Sequence, residues 1–505
     1  MNIIERILGN KGSPSFRNSI AITTEQDQLS YLQLRRCVAI CASRLQETGI
    51  QPGHCVVLLG RDTPDLVIHF LATLAIGAIG IIVSTRFGNE ELTIVAEENQ
   101  PQLLIHDDST LPSILGCPAL AYVPRLDLVT VDGQALDRVA PLTIIPRSED
   151  KLAFRLYSSG TTGNVKGINH GHKDFSRALS YHRDVLELGP GKRTFCTSKL
   201  PFAYAMITGL LAPLSMGANL CLAPDWLQLA DVSKLLKIFH PQVVYSTPSL
   251  FRALLNDPGT DRDVLSRVSH YTSAGEHLPG DLLEHWQQAT NTTIHDCYGC
   301  SEAPFFILAV PAEGAPPGSS GLPAPGAELR LLDHTGSPVT TGETGQLWIH
   351  HDFLATGYPG HPDAWNNRLR NGWFDTGDLF RQDADGFWYH CGREDSLTKV
   401  AGQWVSLPEI EETSMTSGLL DEAAAVLHPD RDGLLRVVLV VVPGRQEDKP
   451  TLDQAIHHYL EQHLARWKRP KWIVHVTALP RTHPGKIQRY RLKTLVEDRL
   501  LSKSD

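Results

Sequence analysis

The chain has 505 residues, of which 42% are hydrophobic and 20% charged, as in a globular protein with more than one core. Its 46 basic and 56 acidic residues give a formal net charge of -10, which argues against a protein that works by neutralising nucleic-acid phosphates. The nine cysteines have no regular spacing and indicate a reducing compartment, so we expect a cytoplasmic protein.

The N-terminal part of the chain predicts a wound α/β arrangement. Residues 32–49, LQLRRCVAICASRLQETG, have the apolar spacing of an amphipathic helix. Four short apolar runs bounded by turn residues predict buried strands, namely HCVVLLG, PQLLIHD, QVVYSTP and RVSHYTSAGE. Strands that alternate with helices in this way indicate largely parallel sheets.

One apolar stretch, residues 66–84, is long enough to raise the question of a membrane span. His69 lies inside it, and Gly77 and Gly80 divide it. A helix that runs into a buried strand explains this pattern better, so we expect no membrane span.

Two changes of pattern predict the domain organisation. Residues 311–328 are rich in proline and glycine and lead into short strands, which indicates a small β unit from about residue 320. After residue 412 the pattern becomes helix, strand (LLRVVLVVVPG), helix and strand (KWIVHVTALP), as in a small α+β domain. We therefore predict a large N-terminal domain, 1–393, and a small mobile C-terminal domain, 394–505.

The segment 157–167, YSSGTTGNVKG, is rich in glycine and hydroxyl side chains but holds one cation, Lys166. Glycines let backbone N–H groups approach an anion closely, and the hydroxyls add further donors. The spacing is not that of the P-loop. A polar surface turn has a similar composition, so the loop alone leaves that alternative open.

Five segments together resemble the adenylate-forming superfamily of acyl-CoA synthetases, nonribosomal peptide adenylation domains and luciferases. They occur in that family's order and are YSSGTTGNVKG, YGCSEA (298–303), WFDTGD (373–378), GREDSLTKVAGQWVSLPEIE (392–411) and LPRTHPGKIQRYRL (479–492). The loop departs from the family pattern at Val165, where relatives have proline. The resemblance implies activation of a carboxylic acid with ATP and Mg²⁺.

The resemblance also implies roles for individual residues. Glu302 would hold Mg²⁺, Lys486 would be the mobile catalytic lysine, and Lys166 and Thr161 would act at the phosphates. Asp395 would be the hinge. The implied nucleotide-binding residues are Ser158, Ser159, Gly160, Thr162, Gly163, Ala274, Gly275, Glu276, Asp296, Cys297, Tyr298, Gly299, Ser301, Asp378, Arg393 and Lys399. The implied thiol-channel residues are Ala401, Gly402 and Trp404.

These residue types suit the chemistry. Joining a carboxylate to ATP brings two anions together, so the site must neutralise charge on the α-phosphate and on the departing pyrophosphate. Backbone N–H groups, hydroxyls, Mg²⁺ and a lysine can share that work. No general base is needed, because the carboxylate is already ionised at neutral pH.

The segment 199–218, KLPFAYAMITGLLAPLSMGA, resembles benzoate-CoA ligases. Amino-acid-activating relatives carry an aspartate where this chain has Ala203, and a buried ammonium without a partner is costly, so an α-amino acid is disfavoured. The resemblance implies an aryl acid such as benzoate or an aminobenzoate. The implied pocket residues are Phe202, Ala203, Tyr204, Ala303, Pro304 and Phe305. Each aromatic among them could equally be an ordinary core residue.

Coenzyme A is the expected acceptor, and the alternative is a stand-alone adenylation enzyme that loads an aryl or medium-chain acid onto a separate acyl-carrier protein. Retention of Glu302 and Lys486 argues against a non-catalytic nucleotide-binding scaffold. A homodimer stays open. The pair Cys297 and Cys300 and the HGH sequence at 170–172 lack further ligands at metal-site spacing, so we expect no metal centre there.

Overall fold

The computed structural model describes residues 1–8, 17–128, 140–159, 165–394, 397–400, 403–430, 433–444, 449–480 and 487–501. They form two compact units. One comprises Met1–Leu329 and Ile349–Phe374, and the other comprises Arg330–Trp348 and Asp375–Asp505. This division does not coincide with the boundary expected at residue 393, which stays a prediction.

The larger unit contains a nine-stranded sheet and a six-stranded sheet. In spatial order the first consists of Leu322–Pro323, Ala303–Ala309, Ile294–Cys300, His270–Ser273, Val243–Ser246, Arg193–Cys196, Asn219–Cys221, Ile20–Thr23 and Gln28–Ser30. The second consists of Arg125–Asp127, Leu103–His106, Cys55–Leu59, Ile79–Val83, Leu152–Ser159 and Val165–Gly171. The inner strands are parallel, as predicted, and the antiparallel pairs lie toward the edges.

Helices connect these strands. The α-helices of the larger unit are Ile3–Leu8, Tyr31–Glu47, Pro64–Ala75, Asn89–Asn99, Leu111–Leu115, Leu179–Asp184, Ala203–Met206, Ala212–Met216, Leu229–Phe239, Pro248–Asn256, Arg262–Leu265, Gly280–Thr290 and Pro362–Arg368. A π-helical turn, Ile207–Leu211, joins two of them, and Asp108–Thr110 is a 3₁₀ turn.

Local sequence explains where the predicted N-terminal elements begin and end. Ser30 and Gln33 form a capping box at the start of helix Tyr31–Glu47. The stretch 66–84 contains a helix and a buried strand, because Pro64 opens the helix and Gly77 adopts a positive φ of 74° immediately after it. No helix within the described ranges is long and apolar enough to cross a lipid bilayer.

A five-stranded sheet follows the proline- and glycine-rich segment, as predicted. Its strands are Ala327–Leu332, Thr344–His351, Trp373–Gln382, Leu369–Arg370 and Trp388–Arg393. The last two both pair with the long strand Trp373–Gln382.

The C-terminal residues form a small α+β structure. A two-stranded hairpin consists of Leu397–Val400 and Gln403–Ser406, and a three-stranded sheet consists of Leu420–Pro429, Leu435–Pro443 and Trp472–His475. The helices are Leu407–Met415, Lys449–His463 and Arg489–Leu501, with a 3₁₀ turn at Arg466–Lys468. Apolar side chains on both faces of the three-stranded sheet are buried, which gives this part of the chain its own core.

Candidate active site

The two ends of the glycine- and hydroxyl-rich segment lie on a pair of antiparallel strands. These strands are Leu152–Ser159 and Val165–Gly171, and Ser158 pairs with Lys166. Gly167 lets the Glu98 side chain pack closely against the strand Val165–Gly171, because a Cβ at position 167 would lie 2.6 Å from Glu98 Oε2. The remaining predicted loop residues lie outside the described residues and are Gly160, Thr161, Thr162 and Gly163, together with the side chain of Ser159.

Glu302 lies in the turn between strands Ile294–Cys300 and Ala303–Ala309. Its side chain contacts the strand Val165–Gly171, since Lys166 Nζ is 3.2 Å from Glu302 Oε1. The Tyr358 hydroxyl donates to the same oxygen at 2.6 Å. Lys166 Nζ also lies 3.7 Å from the centre of the Tyr358 ring. The structure therefore brings together the two charged residues predicted from separate motifs and adds a tyrosine.

The surroundings of Glu302 favour its ionised form. The residue is 8% exposed, and burial by itself raises the pKa of its carboxyl group. Lys166, the Tyr358 hydroxyl and Arg368, whose Nη1 is 4.0 Å away, outweigh burial, so the pKa is lowered overall. The hydrogen bonds from Lys166 and Tyr358 both fall on Oε1, and no described residue hydrogen-bonds to Oε2.

An ionised carboxylate with one oxygen that accepts no hydrogen bond from the described residues suits Mg²⁺, which often takes one or two protein carboxylates and completes its shell with substrate phosphates and water. Within the described ranges no three histidine, cysteine, aspartate or glutamate side chains are grouped to hold a metal by themselves. Glu302 thus fits a metal ion that arrives with a nucleotide.

Two hydrogen-bond contacts hold the backbone around Glu302. The Ala355 N–H donates to the Glu302 carbonyl at 2.7 Å. His170 Nε2 lies 2.9 Å from the Ser301 carbonyl, and the His170 ring is stacked 5.0 Å from Phe154 and 5.9 Å from Phe353. Burial lowers the pKa of His170 to about 4, so the ring is neutral at neutral pH. The first histidine of HGH is therefore a core residue that supports the glutamate turn.

Some of the predicted nucleotide-binding residues lie on or just after two neighbouring strands of the nine-stranded sheet, His270–Ser273 and Ile294–Cys300. Gly275 has a φ of 87°, and the Glu276 carboxylate accepts hydrogen bonds from the Ser249 N–H at 3.0 Å and its hydroxyl at 2.5 Å. Asp296 is buried, and burial raises the pKa of its carboxyl group to about 7, opposed by His277 and by a hydrogen bond from Ser320.

Two other predicted nucleotide-binding residues, Asp378 and Arg393, lie together on paired strands of the five-stranded sheet. Asp378 is opposite Arg393 in the register, with Nη1 to Oδ2 at 3.5 Å. His390 Nε2 is 3.2 Å from Asp378 Oδ1. The Asp378 N–H donates to the Thr376 hydroxyl at 3.1 Å, so backbone and side chain are both held.

The predicted acid-pocket residues do not share one environment. Tyr204 packs against the nine-stranded sheet, where its hydroxyl lies 2.7 Å from Thr272 Oγ1. Ala203, one residue earlier, packs on the core that contains Phe305. Phe305 is fully buried and stacks 5.1 Å from Phe175. Phe306 points to the other side of its strand and lies 6.5 Å from Tyr204. Phe305 therefore has the surroundings of an ordinary core residue, which is the alternative given above for each aromatic residue of the predicted pocket.

Phe202 and the two residues after Glu302 complete the predicted pocket set. The Phe202 ring meets Trp226 edge-on, with ring centres 6.1 Å apart. Ala303 and Pro304 are buried at the start of their strand.

The C-terminal predictions lie partly outside the described residues. Asp395, Ala401, Gly402 and Lys486 fall there, as do the side chains of Lys399 and Trp404. The ends of the lysine segment are described: the Gln488 N–H donates to the Pro480 carbonyl at 2.8 Å. Arg489, next in the chain, makes a two-pronged ion pair with Glu411, at 2.6 and 2.9 Å.

Four residues of these sites were not predicted: Tyr358, Arg368, His390 and Phe306. The first three belong to no motif of the resemblance. Phe306 could have been found from the alternation of faces along a strand, which places neighbouring residues on opposite sides.

Comparison with known proteins identifies the family. Residues 12–359 match the AMP-binding enzyme family, and residues 409–486 match the AMP-binding enzyme C-terminal domain. The chain belongs to the AMP-binding enzyme family. The predicted family and fold class of this AMP-binding enzyme are thereby confirmed.

Three similar proteins illustrate the relationship. The 3-hydroxybenzoate–CoA/4-hydroxybenzoate–CoA ligase of Thauera aromatica is 32% identical over 98% of this chain and 98% of its own length. The anthranilate–CoA ligase of Pseudomonas aeruginosa is 32% identical over 93% of this chain and 92% of its own. A crystal structure of the anthranilate CoA ligase AuaEII with anthranoyl-AMP is 29% identical, with a TM-score of 0.88 over 98% of this chain and 97% of that one.

Proposed function

We propose that this AMP-binding enzyme is an acid–thiol ligase that activates an aryl carboxylic acid with ATP and transfers it to coenzyme A. The observation that carries the proposal is Glu302, a buried carboxylate kept ionised beside Lys166, whose Oε2 accepts no hydrogen bond from the described residues. The near full-length similarity to hydroxybenzoate– and anthranilate–CoA ligases supports the choice of acid and acceptor.

In the first half-reaction an oxygen of the acid attacks the α-phosphorus of ATP, and the bond to pyrophosphate breaks. Mg²⁺, when bound, neutralises charge on the phosphates, and Glu302 is the residue that would hold it. Lys166 adds a positive charge beside that carboxylate, and the resemblance assigns the N–H and hydroxyl groups of residues 158–163 to the phosphate oxygens. Lys486 is assigned to the same step through the family resemblance.

In the second half-reaction the thiol of coenzyme A attacks the adenylate carbonyl, AMP leaves with the bonding electron pair, and the thiol proton passes to solvent. Asp378 and Arg393 hold the ribose through both steps, since a fixed carboxylate suits a pair of ribose hydroxyls. The resemblance assigns Ala401, Gly402 and Trp404 to the thiol channel, Lys399 to the nucleotide and Asp395 to the hinge. These last assignments are predictions from the resemblance.

Ala203 supports an acid without an α-ammonium group. An alanine at this position supplies no carboxylate, and burying an unpaired ammonium is costly. The aromatic side chains near Tyr204 suit a flat ring instead.

A substrate panel tests this function. Benzoate, hydroxybenzoates, aminobenzoates, medium-chain fatty acids and α-amino acids are supplied with ATP, Mg²⁺ and either coenzyme A or a phosphopantetheine-bearing carrier protein. Thioester and AMP are then measured. We expect aryl-CoA from benzoate-type acids. A preference for α-amino acids would contradict the acid assignment, and thioester formed on the carrier protein alone would contradict the acceptor.

A further inference from the structure

A network of polar side chains, here called the polar network, joins helix Asn89–Asn99 to the two strands that hold the ends of the glycine- and hydroxyl-rich segment. Arg155, Tyr157 and Asn99 are buried in it. The hydrogen-bonded members of the polar network are Glu98, Asn99, Arg155, Tyr157 and Asn169.

Arg155 lies at the centre of the polar network and is 6% exposed. Its Nε donates to Asn169 Oδ1 at 2.7 Å, and its Nη1 donates to the Glu98 carbonyl at 3.3 Å and to Asn99 Oδ1. All three acceptors are uncharged. No carboxylate of the described residues forms an ion pair with Arg155, and the Glu98 carboxylate accepts from the Tyr157 hydroxyl instead.

A buried guanidinium without an ion-pair partner is costly, and an apolar side chain of similar size is often at least as stable in such a place. Stability alone therefore does not explain an arginine at position 155. The explanation has to come from what its hydrogen bonds hold in place.

One part of the polar network packs against Gly167, the neighbour of Lys166. The Tyr157 hydroxyl donates to Glu98 Oε2 at 2.7 Å and accepts from Asn99 Nδ2 at 2.7 Å. Tyr157 is opposite Gly167 in the strand register, and the Glu98 carboxylate lies directly against that glycine. This part of the network holds the backbone that carries Lys166.

Asn169 connects the polar network with Tyr358. Arg155 and Asn169 are opposite each other in the register, so their side chains lie on the same face of the sheet. The Asn169 N–H donates to the Gly357 carbonyl at 2.9 Å, and the Asn169 carbonyl accepts from the Thr356 N–H at 2.8 Å. Tyr358 is the next residue of that segment. Asn169 thus sets the position of Tyr358 relative to the strand of Lys166.

Both parts of the polar network therefore act on the groups around Glu302. Lys166 Nζ is 3.2 Å from Glu302 Oε1 and 3.7 Å from the centre of the Tyr358 ring. These distances depend on how strand Val165–Gly171 is placed against the segment that contains Tyr358. Charged groups that receive a substrate must be held in place, because a misplacement of about 1 Å can cost on the order of a hundredfold in rate.

We propose that Arg155 is a positioning residue for the binding of Mg·ATP. It holds Asn169, and through Asn169 it keeps Lys166 and Tyr358 in the arrangement around Glu302 that receives the nucleotide. Arg155 acts through Asn169 and not by contact with the nucleotide. This inference rests on the proposed function for the nucleotide alone and is independent of the acid and of the acceptor.

Calorimetric titration of the full-length protein with Mg·ATP, without any acid, tests the inference. Arg155→Met keeps a side chain of similar length and removes the donors. We expect its Kd for Mg·ATP to rise by about tenfold, and Arg155→Lys, which keeps the charge and can serve one acceptor, to recover part of that loss.

Asn169→Ala removes the side-chain acceptor and keeps the backbone hydrogen bonds to residues 356 and 357. It should also raise the Kd for Mg·ATP. The double variant Arg155→Met/Asn169→Ala should bind about as weakly as Arg155→Met alone, because the two side chains act as a unit. Asn169→Ala provides the same test if Arg155→Met does not fold.

A second readout separates positioning from a merely structural role. In Arg155→Met, acid-dependent pyrophosphate exchange should fall by about tenfold, while conversion of a supplied aryl adenylate to thioester, which needs no ATP, should stay within about twofold of wild type. Arg262→Met is the matched control, because Arg262 also donates to a backbone carbonyl, that of Leu254 at 2.9 Å, in another part of the larger unit. It should leave the Kd within about twofold of wild type.

Thermal unfolding verifies that each variant is folded. An unchanged Kd in folded Arg155→Met, an equal loss in both half-reactions, or strictly additive effects in the double variant would overturn the inference. Binding of Mg·ATP by the wild-type protein without aryl-CoA from any acid would overturn the proposed function and leave the inference on Arg155 standing.

Discussion

Replacement of Glu302 by glutamine tests the charge at the centre of the site. In the wild-type protein the Tyr358 hydroxyl and Lys166 Nζ lie 2.6 and 3.2 Å from Glu302 Oε1. The amide oxygen of glutamine can still accept hydrogen bonds from both groups, so the fold should survive. The amide nitrogen replaces Oε2 and cannot bind a cation. Loss of one charge-stabilising group typically costs about 3 kcal/mol, so adenylate formation should fall on the order of a hundredfold. The Mg²⁺ concentration needed for half-maximal rate should rise.

Tyr358→Phe is the matched control for Glu302→Gln. It keeps the carboxylate and removes one hydrogen bond to it, a loss of about 1.5 kcal/mol or roughly tenfold. The assay is acid-dependent exchange of labelled pyrophosphate into ATP across a range of Mg²⁺ concentrations. An unchanged Mg²⁺ dependence in Glu302→Gln, or an equal loss in both variants, would refute the assignment of Glu302 to the metal.

Two other variants test the ionisation of Glu302 and the place of Ala203 in the predicted acid pocket. In Lys166→Met the carboxyl group of Glu302 loses the strongest of the contacts that lower its pKa, while burial still raises it. Because the ionised form is the active one, the acid limb of the pH profile of adenylation should move to higher pH, and a lower rate with an unmoved limb would contradict this. Ala203→Leu should narrow the range of accepted rings with little change in the KM for ATP. An equal loss for every acid, together with a lower melting temperature, would identify a core position instead.

Much of the fold follows from sequence patterns, because local rules govern it. The strands Cys55–Leu59, Leu103–His106, Val243–Ser246 and His270–Ser273 coincide with the four predicted apolar runs. The stretch 66–84 contains a helix and a strand, as expected from its glycines. These elements are specified by residues a few positions apart, so a single sequence suffices to predict them.

The site was predicted less completely, because its contacts join distant parts of the chain. Lys166 and Glu302 came from separate motifs, and their contact became visible only in the fold. Tyr358 lies 56 residues beyond Glu302 and belongs to no motif, so no local signal marked it. The strand Ala303–Ala309 is buried on both faces, so its hydrophobicity did not distinguish Phe305 from Phe306.

Lys486→Ala tests the proposed division between two half-reactions. We expect little pyrophosphate release from acid and ATP, while a supplied aryl adenylate is still converted to thioester with coenzyme A. Asp395→Pro, which fixes φ at the predicted hinge, should release pyrophosphate without forming thioester. Parallel loss of both half-reactions in both folded variants would contradict domain alternation.

The most direct measurement of the central claim is pyrophosphate exchange into ATP by the wild-type protein with a benzoate-type acid and no coenzyme A. Formation of an enzyme-bound aryl adenylate predicts exchange that requires both the acid and Mg²⁺ and that proceeds without the thiol. Exchange that is independent of the acid, or that appears only when coenzyme A is added, would contradict an adenylate intermediate and with it the proposed function.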